Sequence, residues 1–483
     1  MMEEPLISSH DMPATGSLIG GKWRNSERTF EVRDKFTGRK IADVAEASRE
    51  HVALAVATAR KAMESAAQSP HERASVLRGA ADLLQKHRRR FEELVLADTG
   101  FTIADAAMEV DRAIITLNLS AEEAVRIVGE MVPFAASPGA HRRLGWTQRF
   151  PVGVVCAITP FNSPLNTVLH KVAPAYAAGN AVVLKPSAYT PLTAALLGEI
   201  LLEAGMPAGF LGIVHGDGDS VGSWLLEEQD IAFYTFTGST RVGRIIQQAA
   251  GLRRTQMELG SIASTIVCAD ADLDRAIPKI ANAGFRKAGQ VCTSVQRLYA
   301  HRSNFDEVVE RLAAFAATLP AGDPRLPDTR IGPLISEAAA KRAQTWIEEA
   351  AACGARIRHG GRRERSVLEP TVLTEASADQ KIWCAEAFAP VIAVHPFDSM
   401  EQAYAGANDT PYGLAAGVFT QDVDTALRAA SRLRFGTVQI NEASSARSDV
   451  MPFGGVKDSG FGKEGPAYAI REMTEERLVV FNP

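Results

Sequence analysis

The chain has 483 residues, 46% of them hydrophobic and 23% charged, with 52 lysines and arginines against 57 aspartates and glutamates for a net charge of −5. These globular values exclude a disordered, collagen-like or disulfide-stapled chain, and they favour neither nucleic acid nor an acidic membrane as a partner. At about 150 residues per domain the length allows two or three domains.

In chain order, Met1 to Ser9 carries Glu3 and Glu4 and lacks the basic-then-apolar layout of a signal peptide. No apolar run approaches the roughly 18 residues of a membrane helix. Residues 50–130 read mostly as helix: Val52, Ala55 and Val56 share one face, as do Leu77, Ala81 and Leu84. From residue 150 short Val/Ile-rich runs alternate with helical stretches, at Val152–Thr159, Asn180–Leu184, Ile213–His215 and Ile231–Phe236. A second series follows at Ile266–Cys268, Val391–Val394, Ala415–Phe419 and Val438–Ile440. Continuous apolar strands separated by helices indicate parallel sheets, hence two α/β lobes with a boundary near residue 260. The apolar tail Leu478–Phe481 reads as a strand able to pair with another subunit's sheet edge.

The five cysteines (Cys156, Cys268, Cys292, Cys353, Cys384) are odd in number and form no CxxC pair. The sequence therefore predicts no metal cluster and no disulfide framework, with a reducing cytoplasm as the default location. Cys292 follows a glycine-containing turn, Gly289-Gln290-Val291, and precedes a strand expected at Arg297–Ala300. A thiol there can be part-exposed beside backbone N–H groups, although a free cysteine is more often a buried small hydrophobe. Glu258, in Met257-Glu258-Leu259-Gly260, is a carboxylate among apolar neighbours that can act as a general base, or simply lie at the surface. Asn162 lies between two prolines after a strand, where its amide can donate to an oxyanion or merely complete a turn. Gly238–Gly243 follows a strand and opens a helix, the layout that aims N–H groups at a phosphate. Gly216-Asp217-Gly218 with Gly222 is GxGxxxG rather than GxGxxG, and the absence of GxxxxGK[ST] argues against a P-loop enzyme.

Taken in order, these segments resemble the aldehyde dehydrogenase superfamily over nearly the whole chain. The matching stretches are TPFNSP at 159–164, GNAVVLKPS at 179–187, FTGSTRVG at 236–243, MELG at 257–260, GQVC at 289–292, EAFAP at 386–390 and PFGGVKDSG at 452–460. The resemblance implies two Rossmann-like α/β lobes plus a small β oligomerisation element. The cofactor lobe would take 1–128 and 151–258, the catalytic lobe 259–465, and the oligomerisation element 129–150 with 466–483. It implies Cys292 as nucleophile, Glu258 as general base and Asn162 as oxyanion donor. NAD would be held by Ile158, Thr159, Pro160, Phe161, Lys185, Ser187, Ala188, Gly218, Gly222, Phe236, Gly238, Ser239, Val242, Leu259, Gly260, Glu386 and Phe388. Ala188 stands where many NAD-preferring relatives carry a ribose-binding glutamate, so NADP stays open and NAD is favoured. Relatives that pass the acyl group to coenzyme A commonly lack the glutamate at position 258, so hydrolysis is favoured. A non-catalytic relative would have little reason to keep Cys292, Glu258 and Asn162 together.

Positions that are often apolar or aromatic in the family's substrate funnel are here Arg112, His170 and Arg286, with Arg447 in the closing loop and Thr293 beside the nucleophile. Three arginines and a histidine in one pocket call for an anionic aldehyde, unless Arg112 or Arg286 pairs with an acid such as Asp111 or Asp449. The resemblance extends to relatives that oxidise phosphonoacetaldehyde to phosphonoacetate. Succinic semialdehyde, lactaldehyde and sulfoacetaldehyde are the alternatives. A homodimer or homotetramer is expected.

Overall fold

Four consecutive helices, Arg49–Ser65, Pro70–Lys86, Arg88–Thr99 and Ile103–Ala124, occupy the segment expected to be helical. Ser48 and Ser69 cap the first two through capping boxes, and Pro70 opens the second, where its missing N–H costs nothing. The computed structural model describes residue 7, residues 12–140 and residues 142–483. The reading of Met1–Ser9 thus lies outside the described residues, apart from Ile7.

Two large sheets follow. The first runs Lys22–Arg24, Ser17–Ile19, Leu211–Ile213, Val182–Lys185, Val154–Ile158, Ile231–Thr237, Arg254–Glu258 and Gly460–Phe461 from edge to edge. Its five strands from Leu211–Ile213 to Arg254–Glu258 are parallel, and antiparallel neighbours close both ends. The second runs Arg356–His359, Thr371–Thr374, Val391–Phe397, Val295–His301, Ala263–Val267, Ala415–Phe419 and Thr437–Ile440. Only its edge strand Arg356–His359 is antiparallel. Each sheet sits in its own apolar core, one ending its main run at Leu259 and the other beginning at Ile266.

The segment 466–483 divides. The helix Pro466–Glu472 buries Ile470 in the first core, while Thr474–Phe481 pairs antiparallel with Leu144–Pro151 of the same chain, from Thr474 opposite Pro151 to Phe481 opposite Leu144. The apolar tail therefore finds its partner within the chain. Its ribbon still exposes Leu144, Trp146, Leu478, Val480 and Phe481.

The strand ends are level, and this positions the site. Ile158 lies opposite both Lys185 and Phe236, and Phe236 lies opposite Met257. Parallel strands in register bring the loops after all four to one edge, the place where open α/β sheets bind ligands. No helix among the described residues is long and apolar enough to cross a membrane.

Candidate active site

Cys292 follows a turn with three successive left-handed residues: Lys287 (φ 51°), Ala288 (φ 52°) and Gly289 (φ 68°). Such a conformation costs about 1–2 kcal/mol per non-glycine residue, so other contacts must hold it. At Gly289 a Cβ would stand 2.1 Å from the Ala389 carbonyl oxygen, so glycine is required there by space as well as by φ. Gln290 anchors the turn, accepting from the Ile335 N–H at 2.8 Å and donating to the Lys287 carbonyl at 3.2 Å. Asn162 donates from Nδ2 to the Gln290 carbonyl at 2.8 Å, which sets its amide against the cysteine turn.

A cavity of about 580 Å³ between the two sheets is lined by Cys292, Asn162, Glu258, Gln290 and Arg447, together with Pro160, Phe161, Gly238, Ser239, Leu259, Gly260, Glu386 and Phe388. Burial pushes the Cys292 thiol up to about 12, with Arg447 opposing and the carboxyl groups of Glu258, Glu386 and Glu464 adding to the rise. Glu258 is buried, and neither carboxylate oxygen is hydrogen-bonded among the described residues. Burial and the neighbouring Glu464 charge raise its pKa well above the usual carboxylate range. Glu464 is held low instead: Lys171 and Arg447 bond it at 2.9 and 2.8 Å, which outweighs its own burial. Two carboxyls in one pocket are thus pushed in opposite directions, the arrangement that separates a proton acceptor from a fixed charge.

The residues expected to hold NAD fall into three groups. Pro160, Phe161, Gly238, Ser239, Leu259, Gly260, Glu386 and Phe388 line the cavity. Ile158, Thr159, Phe236 and Lys185 form the strand ends beneath it, with the Thr159 N–H bonded to the Lys185 carbonyl. Ser187, Ala188, Gly218, Gly222 and Val242 lie outside the cavity wall, on the loops and helix starts that follow the strands.

Two observations fit a dinucleotide. The Lys185 ammonium is buried with only the Pro186 carbonyl within reach among the described residues, at 3.5 Å, and burial lowers its pKa to about 8, leaving donors for a ribose hydroxyl. Ser239, which lines the cavity, caps the helix Thr240–Ala250 and so sets the N-terminus of that helix at the cavity edge. Gly260 leaves room there, since a Cβ would lie 2.9 Å from Glu386 Oε2. Glu386 accepts from the Ser261 N–H, and burial raises its pKa to about 7.

The expected anion cluster is arranged differently. Arg112 does not stand open: its Nε and Nη2 bond Asp449 at 3.1 and 2.6 Å. His170 is fully buried and bonds Asp449 Oδ1 through Nε2 at 2.8 Å, burial lowers its pKa, and it does not line the cavity. Asp449 would be raised by burial, but the bonds from His170 and Arg112 outweigh this and hold it well below the usual range. A guanidinium this deep needs a carboxylate, and Asp449 supplies it. Thr293 is buried, its carbonyl bonded by Ser444, and it does not line the cavity.

Arg286 and Arg447 remain. Arg286 bonds Ser445 through Nη2 and meets no carboxylate among the described residues. Arg447 lines the cavity, bonds Glu464 through Nη2 at 2.8 Å, stacks 3.9 Å from the Phe453 ring centroid and keeps a buried Nε with no partner among the described residues.

The sequence offered Asp449 as a partner for Arg112, as found, but pointed to neither Glu464 nor Lys171 as part of the site. Glu464 sits in a charged Lys-Glu-Gly run that reads as surface, and its partner Lys171 is 293 residues away. Lys171 did carry a signal, a lysine inside a helix (Asn166–Ala177) that is apolar on every side.

The aldehyde dehydrogenase family model matches residues 23–479. The 3-sulfolactaldehyde dehydrogenase of Priestia aryabhattai is 45% identical over 467 residues, covering 97% of this chain and 98% of the relative. Among solved structures, aldehyde dehydrogenase 21 from Physcomitrella patens, in complex with the reaction product succinate, superposes with a TM-score of 0.94 at 35% identity, covering 97% of this chain and 98% of the other. The NAD+ complex of an aldehyde dehydrogenase from Bacillus cereus gives 0.93 at 33% identity, covering 97% and 96%.

Proposed function

The chain belongs to the aldehyde dehydrogenase family, and from that premise we propose that it oxidises a small anionic aldehyde, with phosphonoacetaldehyde to phosphonoacetate as the leading reaction. The carrying observation is the pair of arginines around Cys292: Arg286, which bonds no carboxylate among the described residues, and Arg447, which lines the cavity and, beside its bond to Glu464, keeps an Nε without a partner among the described residues. Tetrahedral oxyanions suit such a pair, because each guanidinium can offer a fork of donors. The 45%-identical sulfolactaldehyde enzyme favours a second reading, a sulfonate in place of the phosphonate.

In the proposed mechanism, Cys292 gives its proton to solvent and adds through sulfur to the aldehyde carbon, converting the carbonyl bond into an alkoxide. The free N–H of Asn162 and the Cys292 backbone N–H hold that charge. Bound NAD(P) supplies the acceptor for the hydride that leaves the carbon. The carbon stays on Cys292 as a thioester. Glu258, as the carboxylate, takes a proton from water whose oxygen adds to the thioester; the C–S bond breaks, releasing the acid and the thiolate. Lys185, Ser239, Glu386 and Phe388 are proposed to hold the dinucleotide, NAD preferred and NADP open at Ala188.

Kinetics with phosphonoacetaldehyde, 3-sulfolactaldehyde, succinic semialdehyde and propionaldehyde test the substrate. A charge-assisted hydrogen bond is worth about 1.5–3 kcal/mol, so Arg286→Ala and Arg447→Ala should each lower kcat/KM for phosphonoacetaldehyde by about ten- to a hundredfold. Propionaldehyde should lose little in Arg286→Ala, and in Arg447→Ala less than the anion loses, since that change also takes a cation from Glu464. Equal losses on both, or propionaldehyde oxidised as efficiently as the anions by the unaltered enzyme, would end the anion-site reading.

The lobes 1–128 with 151–258 and 259–465 are proposed as cofactor and catalytic domains, and the exposed ribbon Leu144–Pro151/Thr474–Phe481 as a subunit contact in a homodimer or homotetramer. Leu478→Asp with Val480→Asp should then shift sedimentation to the monomer. An unchanged assembly would place the contact elsewhere.

A further inference from the structure

A buried ion pair crosses between the two lobes directly behind the cysteine turn. Lys287 Nζ donates to Glu109 Oε2 at 2.8 Å and to the Asn162 carbonyl at 3.1 Å, and lies 4.5 Å from the Phe101 ring centroid. The two side chains are 5% and 0% exposed. Glu109, from the helix Ile103–Ala124, uses its other oxygen on the Ser163 hydroxyl at 2.6 Å and on the N–H groups of Leu165 and Asn166 at 3.3 and 2.9 Å. The loop carrying Asn162 is therefore tied on one side to Glu109 and on the other to the turn carrying Cys292.

Asn162 is gripped twice from that turn. Lys287 holds its main-chain carbonyl, and the Gln290 carbonyl accepts one of its two amide hydrogens. The second amide hydrogen is the one left for an oxyanion. Lys287 itself is left-handed, a conformation that persists only where surrounding contacts fix it. Its ammonium supplies three such contacts.

We propose that Lys287 and Glu109 are positioning residues that set the Asn162 amide over Cys292 and so build the oxyanion hole across the lobe boundary. The proposal rests on the reading of Asn162 as oxyanion donor. It predicts that losing the pair harms steps that develop an oxyanion and spares chemistry at Cys292 that develops none. Alkylation by iodoacetamide is such a reaction: sulfur displaces iodide, the C–S bond forms as C–I breaks, and no alkoxide appears.

The test combines Lys287→Met with Glu109→Gln, so that no buried carboxylate is left without its cation, and places this pair in the unaltered and Asn162→Ala backgrounds. Propionaldehyde is the probe, since its oxidation draws on no anion site. The pair should slow the single-turnover burst of NAD(P)H by about ten- to a hundredfold, as expected for a small displacement of a positioned group. The KM for NAD and the rate of iodoacetamide labelling should stay within about twofold. Asn162→Ala alone should cost about 10² to 10³, and adding the pair should slow it by no more than about twofold further. Losses that multiply in the combined variant, labelling that falls in step with the burst, or a burst untouched by the pair would each overturn the positioning role. An unchanged burst in Asn162→Ala would instead remove the oxyanion role of Asn162, and this proposal with it.

Discussion

Cys292→Ala should abolish aldehyde-dependent NAD(P)H formation, by a factor of about 10⁴ or more, because loss of a covalent nucleophile removes the whole route. No other thiol can substitute. Cys156 and Cys268 are buried, Cys353 and Cys384 are exposed, and none of the four lines the cavity. The change leaves the turn intact, since its shape depends on Gly289, Gln290 and Lys287 rather than on the sulfur. Titration of NAD binding by protein fluorescence checks this: affinity should be preserved while turnover vanishes. Turnover that survives would move the chemistry to another residue.

Glu258→Gln should separate the two halves of the reaction. Attack and hydride transfer need no base at Glu258, so about one equivalent of NAD(P)H per site should appear at close to the normal rate. Steady-state turnover should then fall by about 10² to 10⁴, the usual worth of a general base. Glutamine is a gentle replacement here, because neither Glu258 oxygen has a hydrogen-bond partner to lose. The pH profile carries the sign of the raised pKa. Below that value Glu258 holds its proton and cannot accept another, and above it the carboxylate is present, so hydrolysis should climb as pH rises. The high Cys292 thiol pushes acylation in the same direction. Stopped-flow records of both phases across pH would show the climb in the unaltered enzyme and its loss from the slow phase in Glu258→Gln. A steady-state rate near normal would remove Glu258 from the base role.

Strands were legible wherever apolar runs were continuous. Ala415–Phe419 has the expected limits, and Ile231–Phe236 extends by only one residue, to Thr237. The expected run Ile213–His215 is instead the strand Leu211–Ile213, because the chain turns towards Gly216 and its capped loop after Ile213. Thr371–Thr374, half threonine, gave no apolar signal, yet it is buried between Val391–Phe397 and Arg356–His359. The candidate site was legible where one residue type sits at a strand end or in a glycine turn, as with Asn162, Glu258 and Cys292, which share one cavity. It was not legible where function depends on pairing across the chain. That Arg112 meets Asp449 was one of two acids weighed, and only the fold that brings residues 337 apart together selects between them. Charge alone counts cations in a pocket, whereas partnering decides which of them a substrate can use.

In the proposed reaction an anionic aldehyde is oxidised on Cys292 and its acid is released with the help of Glu258. Intact-protein and peptide mass spectrometry of Glu258→Gln, mixed with phosphonoacetaldehyde and NAD and quenched after the burst, tests it most directly. One phosphonoacetyl group per chain, on the peptide that carries Cys292 and in step with one equivalent of NADH, is the predicted result. A burst without that adduct, or an adduct on any other residue, would contradict it.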